Sequence, residues 1–423
     1  MTTSRLLADA RAISTQWLHE LDLAGLSSRR LEASGLISPD VAVDVVAIGK
    51  ASREMADAAS SALGERLRRR LVICDEASAR TRERTPDVLV GEHPIPGAGS
   101  LNAGRALVAF LDEATRAHCT LFLLSGGASS LCVAPESPLT LRDLRGVWDA
   151  AVTSGADITT LNQLRASSSA IAGGRVLSHV RSARSLSLIL VDNVISGPSW
   201  VASGLTYDYR PTGEEVTALL ERIGLVETPL GRRVLEASMN RERAMTIPTT
   251  HHENVVLAEP AMMLDVAVAE ARRRGYRVVD MGSEVHGDVK DVSERWSGVL
   301  RAEASSNDAV ALLGVGEVTV RVRGGGSGGR CQEFAWRMAK EVAQLERDVV
   351  FVAWASDGRD FVEGVGGAWV DRATLERARR LGVDWSEIVQ ANDSHAALGE
   401  LGQLLDGGHT GWNLCDLYVT LVS

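Results

Sequence analysis

Short apolar, β-prone runs recur along the whole chain: VDVVAIG at 43–49, RLVICD, CTLFLLSGG, LSLILVDN, YRVVDMG, AVALLGVGEVTVRVR, DVVFVAWASDG and a terminal LYVTLVS. Segments with helical spacing separate them. A strand buried on both faces reads as an unbroken apolar run, so the pattern predicts parallel sheets covered by helices on both sides. The expected fold class is α/β. A chain of 423 residues exceeds what a single core serves efficiently, which points to two α/β domains. The stretch NRERAMTIPTTHHENVV, residues 240–256, is polar, carries a central proline and has no periodicity. It places a boundary between a domain at 1–245 and a smaller one at 250–423, with residues before about 35 able to pack on either. A cleft between two such domains is the expected place for a ligand.

The balance of 45 basic against 55 acidic residues gives a net charge of −10, and the basic residues are interleaved with acidic ones. Nucleic acid is thereby excluded as the main partner. No apolar run approaches the roughly 20 residues that span a bilayer. The start, MTTSRLLADARAISTQWL, is amphipathic and broken by Arg and Asp, unlike a signal peptide. A cytoplasmic location without membrane attachment is expected, with a homodimer as a compatible assembly. The five cysteines, Cys74, Cys119, Cys132, Cys331 and Cys415, are widely spaced and form no CxxC pair, which suits reduced thiols rather than a disulfide frame or zinc site. The only lysines are Lys50, Lys290 and Lys340, so a lysine in a glycine turn suggests that a compact ammonium charge is wanted there.

In open α/β sheets ligands bind beyond the carboxyl ends of strands. VVAIGKASREMADAASSAL reads as strand, Gly49-Lys50 turn and helix, a setting that suits phosphate or simply a surface lysine. No glycine stands where a Walker loop needs one. TLFLLSGGASSL puts Ser125, Gly126, Gly127 and Ser129 at a strand end, where consecutive glycines let backbone N–H groups face an anion or just make a tight turn. RVRGGGSGGRCQE contains GxGxxG at Gly324, Gly326 and Gly329, with Gly328 between. A dinucleotide fingerprint expects an acid about 20 residues on, at the end of the next strand. Here that strand ends at Asp357, several residues too far. The preferred reading is a phosphate cradle with Arg330 as a fork-shaped clamp, against NAD binding or a plain loop. SDGRD offers Asp357 and Asp360 either for Mg²⁺ or as a capped turn. Asp192 ends another strand. Asn162 and Arg165 share a helical face as ligand contacts or solvated polar residues, and HHE at 251–253 reads as exposed linker.

With these loops in order the sequence resembles the glycerate 2-kinase family, sometimes labelled hydroxypyruvate reductase, whose second half carries a domain named MOFRL. The likeness runs through AIGKAS, HPIP at 93–96, LLSGGASSL, SGADITTLNQLR, AIAGGR, VASG at 201–204, GEVTVRVRGGGSGGRCQE, ASDGRD and HTGWNLCDL. It implies a Rossmann-like first domain, a MOFRL-like second domain, and a cleft taking ATP, Mg²⁺ and a small, probably anionic, hydroxylated substrate. Lys50 and Arg330 match the cations the family places there, and Ser125, Gly126, Gly127 and Ser129 its phosphate-binding turn. The resemblance further implies cofactor contacts at Gly324, Gly326, Gly328, Gly329, Glu317 and Asn413, substrate contacts at His93, Asn162, Arg165 and Glu333, and metal ligation at Asp192 and Asp357. Asp416 also falls on a motif position. Such a site fits phosphoryl transfer, which needs positioning and charge neutralisation more than covalent chemistry.

Departures from the family pattern cluster at the same loops. An amide becomes Cys331, two acids after Asp192 become Ser196 and Gly197, a His becomes Ser167 and a Lys becomes Ala172. A late Asp becomes Gly364, Phe361 stands where glycine is usual, and His409, Trp412 and Cys415 are introduced. These changes point to an acceptor other than glycerate itself, in a specialised pathway. A non-catalytic anion-binding homologue and an NAD(P)-dependent reductase are the alternatives.

Overall fold

A computed structural model of the chain describes residues 2–35, 40–80, 83, 85–193, 197–243 and 250–423. The chain forms two compact units, residues 23–258 and residues 1–22 with 259–423. The division differs from the expected one in two places. The N-terminal helix Thr3–Thr15 belongs with the second unit, and the first unit extends through residue 258.

The first unit is built on one sheet of parallel strands: β1 (Val43–Ile48), β2 (Leu67–Cys74), β3 (Val88–Val90), β4 (Cys119–Leu124), β5 (Arg184–Leu190) and β6 (His251–Ala258). Their order is β3-β2-β1-β4-β5-β6, and every neighbouring pair is parallel. β1 and β4 are buried along their entire length, as unbroken apolar runs require. The chain winds one way from β1 to β3 and the other way from β4 to β6. The switch point therefore lies between β1 and β4, where doubly wound sheets hold their ligands.

β6 corrects the reading of residues 251–253 as exposed linker. Its burial alternates, His251 and Glu253 exposed and His252 and Asn254 turned inward, so a half-polar strand looked like a loop. The His252 ring meets Ser185 Oγ at 2.8 Å through Nδ1, and Ser187 Oγ at 3.3 Å and Asn254 Oδ1 at 3.2 Å through Nε2, and packs edge-on against Phe122.

The second unit carries β7 (Arg277–Asp280), β8 (Val285–Asp288), β9 (Val310–Thr319), β10 (Val349–Ala355), β11 (Val365–Asp371), β12 (Leu404–Asp406) and β13 (Asp416–Val422). The sheet order is β12-β11-β10-β13-β9-β7, with β8 also on β9. The expected parallel sheet is found only where β7 and β8 meet β9; the other pairs are antiparallel. Apolar runs report burial on two faces, not strand direction, and both faces are covered here. On one side Trp296, Phe334, Phe351 and Tyr418 pack as tilted and edge-to-face rings, and Trp296 Nε1 donates to Thr420 Oγ1 at 2.8 Å. On the other, Thr3–Thr15 lies against β10 and β13. Among the described residues no helix is long and apolar enough to cross a membrane. All five cysteines are buried, and none forms a disulfide.

Burial lowers the His252 imidazole from its usual 6.5 to about 4, so it folds in neutral form. A base whose folded pKa is depressed contributes stability above its unfolded value and loses it as pH falls toward the folded one. The chain is therefore expected to lose up to roughly 3 kcal/mol from this ring between pH 6.5 and 4. Denaturant titrations across that window should show a shallower slope for His252→Gln.

Candidate active site

β1 ends in Gly49, whose φ of +132° and lack of a side chain let the chain pass directly over Ser125; a Cβ there would overlap the serine hydroxyl and carbonyl. Two hydrogen bonds lock the crossing: Lys50 N–H donates to Gly126 O at 2.9 Å, and Ala51 N–H to Ser125 Oγ at 3.2 Å. Gly126 in turn lies flat on the Asp192 carboxylate, which a side chain would displace. A Cβ on Gly127 would stand 3.3 Å from Lys50 Cγ and 3.2 Å from His93 Cδ2. The first unit thus gathers Lys50, His93, Ser125, Gly126, Gly127 and Asp192 at its switch point. Among the described residues no acceptor takes the N–H groups of Gly126, Gly127, Ala128 or Ser129. Gly127 is left-handed at φ +83°, the turn geometry that points successive amides at an anion.

A second cluster adjoins the first through Ser129. Its hydroxyl meets Ser203 Oγ at 2.7 Å, and Ser203 donates to Asn162 Oδ1 at 3.2 Å. Arg165 reaches the same Asn162 oxygen at only 3.5 Å and lies over the Trp148 ring at 4.5 Å. Its Nε is buried without a partner, and among the described residues no carboxylate pairs with it or with Lys50. Burial pushes the Arg165 guanidinium down to about 10, still charged at neutral pH. Desolvation of the ring, and then the charge of Lys50, push His93 down to about 4, although much of the residue meets solvent. Ala202 and Ser203 hold left-handed backbone at φ +56° and +53°, strain of a kind that collects at functional sites. Ser203 and Trp148 were not singled out from sequence; VASG carried a trace of the first, and nothing marked the second. Gly197 lies just before Pro198, and Ser196 is outside the described residues.

The glycine loop of the second unit turns out differently from the expected phosphate cradle. Arg323 and Gly324 N–H donate to Asn392 Oδ1 at 2.7 and 3.1 Å, Gly326 N–H to Ala391 O at 2.8 Å, and Ser327 N–H to Asp393 Oδ1 at 2.9 Å. The helix Arg330–Val342 is capped by fully buried Asp360, which accepts from Cys331 N–H at 3.0 Å and Gln332 N–H at 2.8 Å. Side chains at 324, 326, 328 or 329 would strike Ala391, Asp393, Ser394 and Asp360 respectively. These glycines permit close backbone packing, and the same contacts occupy the N–H groups of Gly324, Gly326, Cys331 and Gln332, for which a dinucleotide's phosphates would have to compete.

Arg330 is also committed. Its Nε and NH2 grip Asp416 at 2.6 and 2.7 Å, with Glu317 at 3.5 Å. Burial works to lower Arg330, but the Asp416 charge outweighs it and holds the guanidinium well above its ordinary value. Burial pushes Asp416 up to about 7 against the pull of Arg330; with both bonds made, the ionised pair is the form the geometry supports. Tyr418 adds a hydroxyl donor at 3.1 Å. Of the remaining expected residues, Glu333 is buried and bound to Arg337 at 2.9 Å, Asp357 accepts Arg359 N–H at 2.9 Å in its own turn, and Asn413 is half-buried before β13. The metal pair expected at Asp192 and Asp357 is divided between the units. Among the described residues no group of three or more His, Cys, Asp or Glu is arranged for a metal ion.

Residues 10–236 match the family described as a domain of unknown function, DUF4147, and residues 310–416 match the MOFRL family. A D-glycerate 2-kinase of Thermotoga maritima is 28% identical over 389 residues, spanning 90% of each chain. A protein of Agrobacterium vitis with the provisional name of a hydroxypyruvate reductase is 30% identical over 384 residues, spanning 89% of this chain and 86% of its own. The crystal structure of glycerate kinase from Thermotoga maritima is similar at a TM-score of 0.86 and 25% identity, covering 99% of this chain and 100% of that one.

Arg330→Ala should leave Asp416 buried without its counter-charge, costing about 3–5 kcal/mol in urea denaturation. Lys50→Ala removes a cation with no partner and should change stability by no more than about 0.5 kcal/mol.

Proposed function

The chain belongs to the family that joins a DUF4147 domain to a MOFRL domain, and from that membership and the loop geometry we propose a kinase that moves a phosphoryl group from ATP to a hydroxyl of glycerate or a related small hydroxy acid. The observation that carries this reading is the set of N–H groups at 126–129, unclaimed among the described residues, beside the ammonium of Lys50, which no described carboxylate pairs. Donors and a compact cation converging at a switch point suit the oxygens of a polyphosphate.

In this reading Lys50 and the loop amides hold the anionic oxygens as the acceptor oxygen bonds to phosphorus and the bond to ADP breaks. The hydroxyl proton leaves toward Asp192, the carboxylate resting on Gly126. Arg165 takes the acceptor's carboxylate: it is cationic, largely buried, stacked on Trp148 and short of partners. Ser129 and Ser203 orient the acceptor's hydroxyls. His93, neutral at physiological pH, contributes hydrogen bonds rather than charge. Mg²⁺ is commonly held by one or two carboxylates together with phosphate oxygens and waters, which fits the Asp192 carboxylate beside the cradle. Bound there it would neutralise phosphate charge. Ala172, where the family resemblance leads one to expect lysine, lines the same pocket as Arg165, leaving that guanidinium as its one cation. That difference favours a hydroxy acid of a specialised pathway over glycerate. A reductase is disfavoured because protein acceptors already occupy the Gly324, Gly326, Cys331 and Gln332 amides of the motif its cofactor would use.

Coupled ADP release and product mass should reveal ATP-dependent phosphorylation of D-glycerate or of another member of a hydroxy-acid panel. Lys50→Ala should lower kcat by at least about 100-fold, the scale of one transition-state charge contact. Arg165→Met should raise the acceptor KM by roughly 10- to 100-fold and leave the ATP KM nearly unchanged. Calorimetric binding of ATP with no product from any acceptor would replace this reading by a non-catalytic anion-binding protein.

A further inference from the structure

The hydroxyls of Ser129 and Ser203 form a short chain whose hydrogens can be followed one by one. Both serines line the pocket that holds Arg165. Asn162 Oδ1 receives the Ser203 hydroxyl at 3.2 Å, and the Arg165 Nη1 approaches it at 3.5 Å. Two donors converging on this atom fix it as the amide oxygen, since an NH₂ group in its place would face a guanidinium. A serine hydroxyl has one hydrogen to give, and that of Ser203 is spent on Asn162. The 2.7 Å contact between Ser203 Oγ and Ser129 Oγ must then carry the hydrogen of Ser129. The reverse direction would leave Ser203 Oγ and Asn162 Oδ1 facing each other with lone pairs alone.

Ser129 is left with lone pairs and no hydrogen. Half-buried on the pocket wall, its oxygen accepts from no described group. Ser169, which also lines the pocket, differs: its oxygen already takes the N–H groups of Ile171 and Ala172 at 3.2 and 3.1 Å. An oxygen that can only accept repels carboxylate, phosphate, carbonyl and ether oxygens and holds a group that donates. The left-handed Ser203 that sets this direction is pinned at both ends. Its carbonyl accepts from Gly173 N–H at 3.2 Å while its hydroxyl bridges Asn162 and Ser129, the kind of surroundings that keep a strained residue in place.

We propose, resting on the kinase reading above, that Ser129 Oγ selects the phosphoryl acceptor by accepting a hydrogen bond from one of its hydroxyls, with Ser203 and Asn162 as positioning residues that fix the direction. The reacting hydroxyl gives its hydrogen toward Asp192, which lies against Gly126, so the hydroxyl at Ser129 is a second one. The acceptor is then a hydroxy acid with at least two hydroxyls, its carboxylate on Arg165 and its non-reacting hydroxyl on Ser129. An oxo group or a hydrogen in place of that second hydroxyl loses the contact.

D-Glycerate, 3-fluoro-D-lactate and D-lactate carry a hydroxyl, a fluorine and a hydrogen at the same carbon, and fluorine can accept but not donate. Calorimetry on the full chain is expected to give D-glycerate a Kd at least about 10-fold below that of either analogue. Ser203→Ala frees the Ser129 hydrogen, so 3-fluoro-D-lactate should gain and come within about 3-fold of D-glycerate. Ser129→Ala should bring D-glycerate to the level of D-lactate. A merely structural role for Ser203 would weaken all three ligands alike. The proposal is overturned if D-glycerate does not bind up to about 10 mM, if it binds no better than 3-fluoro-D-lactate, or if Ser203→Ala leaves their ratio unchanged. Absence of ADP release with the Kd ratio intact counts against phosphoryl transfer alone, and ADP release without that ratio counts against the role of Ser129 alone.

Discussion

Every backbone N–H removed from water must give its hydrogen to some acceptor, and the two glycine loops meet that demand to different degrees. At 323–332 Asn392, Ala391, Asp393 and Asp360 take the amides of Arg323, Gly324, Gly326, Ser327, Cys331 and Gln332. At 126–129 the described residues provide none. A loop whose glycines abut neighbouring backbone and whose donors are mostly taken is a packing device, however glycine-rich it is. A loop whose donors remain open is prepared for a ligand.

The charges divide along the same line. Arg330 spends its fork on Asp416, a carboxylate that burial would otherwise leave uncompensated. Asp44, fully buried in β1, is similarly held by Arg68 and Arg69. Among the described residues Lys50 and Arg165 have no such carboxylate. A buried guanidinium without a counter-charge is costly, and the cost is removed when an anion enters. Arg165 is therefore more informative than Arg330, although Arg330 stands beside the more conspicuous motif.

The switch-point site was legible because its signal is local. VVAIGK and FLLSGGASS each set a strand, a glycine and a polar residue in immediate succession, and parallel pairing of β1 with β4 brings the two loops together. What stayed hidden depends on distant segments. Nothing in RVRGGGSGGR reveals that residues 391–394 will lie against it, and spacing cannot distinguish a glycine kept for a phosphate from one kept for a neighbouring carbonyl. The antiparallel order of the second sheet was equally invisible, since burial on both faces gives the same apolar run in either direction. The boundary moved for a related reason: β6 is half polar, and its inward His252 and Asn254 answer serines and threonines on other segments.

The departures from the family pattern gain different meanings once they are placed. In the second unit they are absorbed as packing. Cys331 is fully buried at the start of its helix, Trp412 sits edge-on to Trp17 at 6.2 Å, and His409 meets Arg359 at 3.1 Å. Phe361 is the exception, an 84% exposed aromatic in left-handed backbone that no contact in the structure explains. In the first unit the changes subtract function from side chains instead. Ser167 returns its hydroxyl to Gln163 O inside its own helix, and Ala172 presents only a methyl group to the pocket that holds Arg165. A pocket that loses polar groups while keeping its buried cation still selects an anion, but recognises less of the rest of the molecule by hydrogen bonding. On the proposed reading, divergence in this chain would bear on which hydroxy acid is accepted and would leave the switch-point loops proposed to hold the phosphates as the common element.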